Sequence, residues 1–157
     1  MAGTSAYNQI LDEVQTQIKA LSLTGVTTTN ILVLKYTTLR EDQLAALPAV
    51  LISPFGQPRV ISGGPADNIG MNVIQYPVAI MCLQAGNQDQ TTNLDRIALW
   101  LQKIFMEFYH KSIAAVTAGT VYTCEADPRD TFHPDAWFDN LDAGGIVLRF
   151  NCQLVRS

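Results

Sequence analysis

The chain has 157 residues and a mass of 17.2 kDa, with 48 % hydrophobic and 15 % charged side chains and a net charge of -4. That length makes one ordinary domain, residues 1–157, with its own core. A charged share well below the roughly 25 % of an average soluble domain excludes a disordered chain or a charge-rich helical rod, and a pI near 4.9 argues against a dedicated nucleic-acid binder.

Ser5 to Leu23 reads as an amphipathic helix. Tyr7, Leu11, Val14, Ile18 and Leu21 recur at spacings of four and three, with Ile10 on the same side, the period of a helix that buries one face. Thr4 or Ser5 offers a capping hydroxyl, and Gly25 a stop. Asn30 to Tyr36 is a short β-rich run, Arg40 to Ala46 a helical turn leading to Pro48, and Ala49 to Ser53 a strand stopped by Pro54-Phe55-Gly56. Arg59 to Ser62 is either the hairpin partner of that strand or an arm, broken by Gly63-Gly64-Pro65.

Asn72 to Gln84 is apolar on both faces. Ile74, Tyr76, Val78, Ile80 and Cys82 alternate with Val73, Ala79, Met81 and Leu83, so a strand buried from both sides is expected. Pro77 removes one ladder donor and places an edge or a bulge at that point. Asn93 to Lys111 is a long helix with an apolar stripe of Leu94, Ile97, Leu101, Ile104, Phe105 and Phe108 and a narrow polar one of Arg96, Lys103, Glu107 and Lys111. Leu99, Trp100 and Met106 stay apolar on a flank outside that stripe, and a helix so widely apolar expects burial against more than one surface. Thr120 to Ala126 is a strand, Asp127 to Gly145 a long polar loop closing at Gly144-Gly145, and Ile146 to Val155 a final strand. In that last strand Ile146, Leu148, Phe150, Cys152 and Leu154 face inward while Arg149, Asn151 and Gln153 face outward. The order of elements defines an α+β fold: a mainly antiparallel β-sheet flanked by two α-helices on one side. The crossover through the long helix is the one connection that demands parallel strands.

Catalytic chemistry has little to build on. Cys82, Cys124 and Cys152 lie far apart in apolar runs without a Cys-x-x-Cys, which reads as buried reduced thiols of a reducing compartment. His110 sits at the end of the long helix, where a cationic or polar residue suits the carbonyl terminus. His133, with Asp130 and Asp135, forms the one stretch with metal or acid-base potential, yet its spacing matches no EF-hand. No Gly-x-Ser-x-Gly, Walker loop, dinucleotide fingerprint or His-Glu-x-x-His occurs. The expectation is therefore no enzyme, no catalytic residue, no cofactor and no metal site, with a small metal-dependent enzyme at the His133 loop as the rival. No apolar run reaches the roughly 20 residues of a membrane span. The start lacks a secretory signal's basic and apolar regions, and Ala2 stands where N-myristoylation requires glycine. A soluble protein made and kept inside a cell is the corresponding expectation.

The sequence offers surface for assembly instead. Glu125, Asp127, Asp130, Asp135, Asp139 and Asp142 stand against a lone Arg129, and Phe132, Trp137, Phe138 and Leu141 are interleaved with them. Large apolar side chains on a long loop dock either on the body of the domain or on another chain. Leu99, Trp100, Met106, Phe132, Trp137 and Phe138 are the candidate subunit-interface residues.

Three phrases carry a family resemblance: Leu47-Pro-Ala-Val-Leu-Ile-Ser-Pro54, Asn72-Val-Ile-Gln-Tyr-Pro-Val-Ala79, and Asn87-Gln-Asp-Gln-Thr-Thr-Asn-Leu-Asp-Arg96 opening the apolar helix. With the N-terminal helix and the final strand pair, they make the chain similar to tail terminator proteins of tailed bacteriophages. The likeness rests on element order and these phrases, not on a catalytic signature. It implies a virion structural protein of the neck, made in the host cytoplasm: a homo-oligomeric ring, a hexamer, that caps the tail tube, ends its polymerisation and meets the head-completion or stopper protein. The ring leaves a channel for DNA, which passes without specific binding. The six acidic residues from Glu125 to Asp142 would line that lumen, since like charge repels phosphate where basic proteins attract it. Another head-tail connector component (adaptor, stopper or minor capsid protein) shares the same class. A ring also accounts for a two-sided helix, because head-to-tail contacts use two different patches per subunit.

Overall fold

A computed structural model describes residues 5–34, 47–62, 72–86, 90–126 and 141–154. In chain order its elements are α1 (Ala6–Ala20), a 3-10 turn (Thr28–Asn30), β1 (Ile31–Val33), β2 (Ala49–Pro54), β3 (Arg59–Ser62), β4 (Asn72–Ala85), α2 (Gln90–Phe108), β5 (Gly119–Ala126) and β6 (Leu141–Leu154). The six strands form one sheet in the order β1-β2-β4-β6-β5, with β3 also paired to β4. Every pair is antiparallel except β1 with β2. That parallel pair departs from the expectation that only the long helix carries a crossover. The expected turn over Arg40 to Ala46, like Lys35 and Tyr36, lies outside the described residues. The fold is α+β with both helices on one face. Ile10, Leu11, Val14 and Ile18 of α1 and Ile97, Leu101, Ile104 and Phe108 of α2 share one core with Val50, Ile52, Val78, Ile80, Leu148 and Phe150 of the sheet.

Local chemistry explains the boundaries. The Ser5 hydroxyl accepts a hydrogen bond from the Asn8 amide and caps α1. The helix stops at Ala20; Ser22, with φ 50°, is the first left-handed residue beyond it, and Gly25, expected as the stop, is left-handed too at φ 83° but three residues further on. Helix α2 begins at Gln90 rather than Asn93 and ends at Phe108, where His110 turns left-handed with φ 57°. Strand β6 begins at Leu141, so Gly144 and Gly145 are not the close of a loop: they pair with Cys82 and Met81 within the 14-residue β4–β6 ladder. Continuous cross-strand pairing here overrides the local preference of a Gly-Gly pair for turns.

Strands β2 and β3 both pair with β4. Pro54 sits opposite Val78 and Arg59 opposite Gln75, so Phe55 to Pro58 stands against Tyr76 and Pro77. Pro77 thus lies in a central strand, at the interruption its missing N–H requires. Arg59 to Ser62 is the partner of β4 and not of β2. Tyr7 of α1 plugs the break: its hydroxyl donates to the Pro77 carbonyl and accepts from the Phe55 amide at 3.3 Å. Its ring leans on Tyr76 at 5.0 Å between centroids.

A second clamp joins α1 to the far edge. The Gln9 Oε1 accepts from the Thr117 and Ala118 amides at 2.9 and 3.0 Å, and Nε2 donates to the Thr117 hydroxyl at 2.8 Å. Gln9→Ala is expected to cost about 1–2 kcal/mol, the range for amides that lose their acceptors, in a urea titration; an unchanged midpoint would show that water replaces the clamp fully.

Cys82, Cys124 and Cys152 are all buried and free. Burial pushes the thiols of Cys82 and Cys124 from an ordinary 9.0 up to about 12, and raises that of Cys152. A pKa higher in the folded than in the unfolded chain gives stability that is complete below pH 9 and lost as pH rises toward 12. Tyr7 and Tyr76, raised above 10.0 chiefly by burial, act in the same direction. Alkaline unfolding is therefore expected to begin above about pH 9. At pH 8 a disulfide reagent should find no thiol until denaturant is added, and then all three; immediate reaction of one thiol would contradict the packing.

Candidate subunit-contact surfaces

Helix α2 turns Ile97, Trp100, Leu101, Ile104 and Phe108 into the core. An α-helix advances about 100° per residue, so the residues opposite them face away from the sheet. There the helix shows Leu99 and Met106, with 46 % and 64 % of their surface exposed; Leu94, at 51 %, and Tyr109, at 40 %, are exposed at its flanks. Leu94 was expected in the buried stripe. It stands near the start of the helix, at the edge of the inward arc, and is exposed instead.

Trp100 is the reverse case. Named above as an interface residue on an open flank, it is fully buried, and its indole N–H donates to the Thr24 carbonyl at 3.2 Å. The chain after α1 covers that flank, so Trp100 belongs to the core and cannot meet a second chain. Leu99 and Met106 are on the surface, where a partner could reach them. Phe132, Trp137 and Phe138 lie outside the described residues.

A second exposed apolar patch lies on the hairpin of β3. Val60 is 64 % exposed, and Ile61 and Phe55 are exposed with it. The sequence signal was available: adjacent apolar residues in a four-residue strand point to opposite faces, so one of them leaves the core side.

The acidic set is divided. Glu125 lies on β5 and Asp142 on β6, while Asp127, Asp130, Asp135 and Asp139, like His133, fall outside the described residues. Glu125 aligns with Arg149, next to core-facing Phe150, and Asp142 pairs with Gln84 on the helix side of the sheet. The two carboxylates therefore sit on opposite faces and well apart along β6, and do not form one wall. Glu125 joins a polar network: its carboxylate accepts from Gln75 at 3.2 Å and from Asn151 at 3.3 Å, and Gln75 also donates to Asn151 at 3.0 Å. Asn151, expected outward and solvated, is only 3 % exposed, and the network satisfies it. Asp142 accepts from Asn93 at 2.9 Å, and Asn93 also donates to the Ala85 carbonyl at 2.9 Å, which ties the start of α2 to the ends of β4 and β6.

Among the described residues no three His, Cys, Asp or Glu side chains converge as a metal set, and no helix is long and apolar enough to cross a membrane. No protein-family model matches the chain, and no curated protein matches it. The class that the structure defines is an α+β domain, with apolar side chains exposed on α2 and β3 among the described residues.

Proposed function

We propose that this chain is a structural protein of the bacteriophage neck, a tail terminator. In this reading copies close into a homo-oligomeric ring, a hexamer, at the end of the tail tube. The ring stops tube growth, offers its other face to the head-completion or stopper protein, and leaves a channel through which DNA passes without specific binding. The protein is made in the host cytoplasm and ends in the virion. One observation carries the reading: Leu99 and Met106, seven residues apart on one stripe, make an uncovered apolar patch on the outer side of a helix whose inward side is buried in the core. An amphipathic helix within one domain has no use for such a ridge, whereas a subunit that meets neighbours does. Support also comes from the three sequence phrases, two of which lie on β2 and β4, and from the net charge of -4, which resists adhesion to DNA.

Light scattering after size exclusion, across a wide concentration range and with tail tubes added, tests it. A closed species of hexamer mass, or a ring seated on tube ends in negative stain, is the expected result. A monomer at every concentration that also ignores tube ends would overturn the reading.

A further inference from the structure

The chain carries two kinds of sulfur, and the fold treats them oppositely. Cys82, Cys124 and Cys152 are fully buried and free. Burial pushes the thiols of Cys82 and Cys124 up to about 12 and raises that of Cys152. Oxidants attack the thiolate, so at neutral pH packing and protonation both shield the cysteines. A thioether has no proton to lose, and its reaction with peroxide follows access. Met81 on β4 is partly buried, opposite Leu51 and Gly145, while Met1 and Met71 lie outside the described residues. Met106, 64 % exposed on α2, is the most open sulfur among the described residues.

Its neighbours make that one atom matter. A helix turns about 100° per residue, so Asp95, Leu99, Gln102 and Met106 fall within about 60° of one another on the outer side of α2. All four are exposed. Two of them are charged or polar, and only Leu99 and Met106 give the stripe an apolar character. Oxidation at sulfur turns a flexible apolar side chain into a polar one. It would leave Leu99 as the one apolar member, among neighbours that water already solvates.

We propose that Met106 is a peroxide-sensitive modification site that switches the α2 contact between copies. Hydrogen peroxide transfers one oxygen atom to the thioether, giving the sulfoxide and water. A sulfur lone pair forms the S–O bond as the O–O bond breaks, and the departing hydroxide takes the proton left on the transferred oxygen. The oxidised chain then no longer associates through Leu99 and Met106. The switch rests on the ring reading, in which this patch meets a neighbour, whereas the chemical site does not.

The test treats the full chain with hydrogen peroxide at neutral pH and reads it in two ways. Peptide mass mapping should find an added oxygen at Met106 before any at Met81 or at a cysteine, and Met106 should react more slowly in assembled rings than in the free chain. A cysteine oxidised first, or Met81 oxidised as fast as Met106, would overturn the site. Light scattering should show association weakened by about tenfold, the effect of one polar group left without a partner in a contact, with circular dichroism unchanged. Met106→Leu has no thioether, so its association should be the same before and after peroxide, and Met106→Gln should associate weakly without any oxidant. A Met106→Leu chain as sensitive to peroxide as the native one would overturn the switch. The two failures are separable. A native chain that assembles on tube ends and still does so once Met106 is oxidised removes the switch and leaves the neck reading standing. An untreated chain that neither self-associates nor seats on tube ends removes the neck reading and the switch together, while the peptide map still decides the site.

Discussion

Replacing Trp100 by alanine is expected to destabilise the domain by about 3–5 kcal/mol, the range for deleting a buried aromatic side chain. The indole is fully buried in the core that α2 shares with α1 and the sheet. Its removal opens a cavity and also leaves the Thr24 carbonyl, 3.2 Å from the indole nitrogen, without its donor. The loss is a large part of the 5–15 kcal/mol that holds an ordinary domain together. A urea titration followed by far-UV circular dichroism measures it, and a loss under about 1 kcal/mol would contradict the burial. The same burial decides which substitutions report on assembly. Trp100→Glu would place a charge in the core and test the fold, whereas Leu99→Glu or Met106→Glu changes only an exposed face. The latter two should leave the urea midpoint nearly unchanged while they weaken association.

Gly119→Ala is the second large effect, and it is steric. A methyl group at Gly119 would stand 2.6 Å from the Gln153 carbonyl oxygen and 2.8 Å from the Cys152 sulfur. The first of these is backbone of the paired strand β6, so the ladder itself must move. Overpacking of this kind costs about 1–3 kcal/mol, here at the point where Gly119 faces Leu154. Gly56→Ala provides the contrast. Nothing lies within 4 Å of its added methyl, but φ is +76°, and left-handed backbone costs a non-glycine residue about 1–2 kcal/mol. Hydrogen exchange separates the two mechanisms. Gly119→Ala should raise exchange along β5 and the end of β6, whereas Gly56→Ala should act near the β2–β3 interruption. Equal, global effects from both would remove the local steric account.

Periodicity was the reliable part of the sequence. The 3.6-residue spacing of Ile10, Leu11, Val14 and Ile18 placed one face of α1 in the core, and all four are buried there. Alternation in β6 likewise sent Ile146, Leu148, Phe150 and Cys152 inward. Both patterns work because each element buries a face whose period is set by its own backbone. Pro77 announced an interruption for the same local reason: it has no N–H to give. Among the surface residues, Leu99 and Met106 were legible as apolar positions outside the inward arc, and the structure leaves them exposed.

What needed neighbours in space was not legible. Trp100 and Leu94 exchanged roles because the inward arc of α2 is fixed by where the chain around Thr24 lies, and no local period reports that. Asn151 and Glu125 read as solvated until Gln75, from another strand, came within hydrogen-bonding distance of both. Glu125 and Asp142 belonged to one acidic stretch in sequence, yet strand alternation and the length of β6 set them on opposite faces. The sequence by itself determined the α+β class, the inward faces of its helices and strands, and an acidic, weakly charged surface, all of which depend on near neighbours along the chain. Only the tertiary structure decided which of the described apolar residues are exposed and which polar groups meet. Those outcomes depend on contacts between residues far apart in the chain, whose pairing is a property of the whole fold.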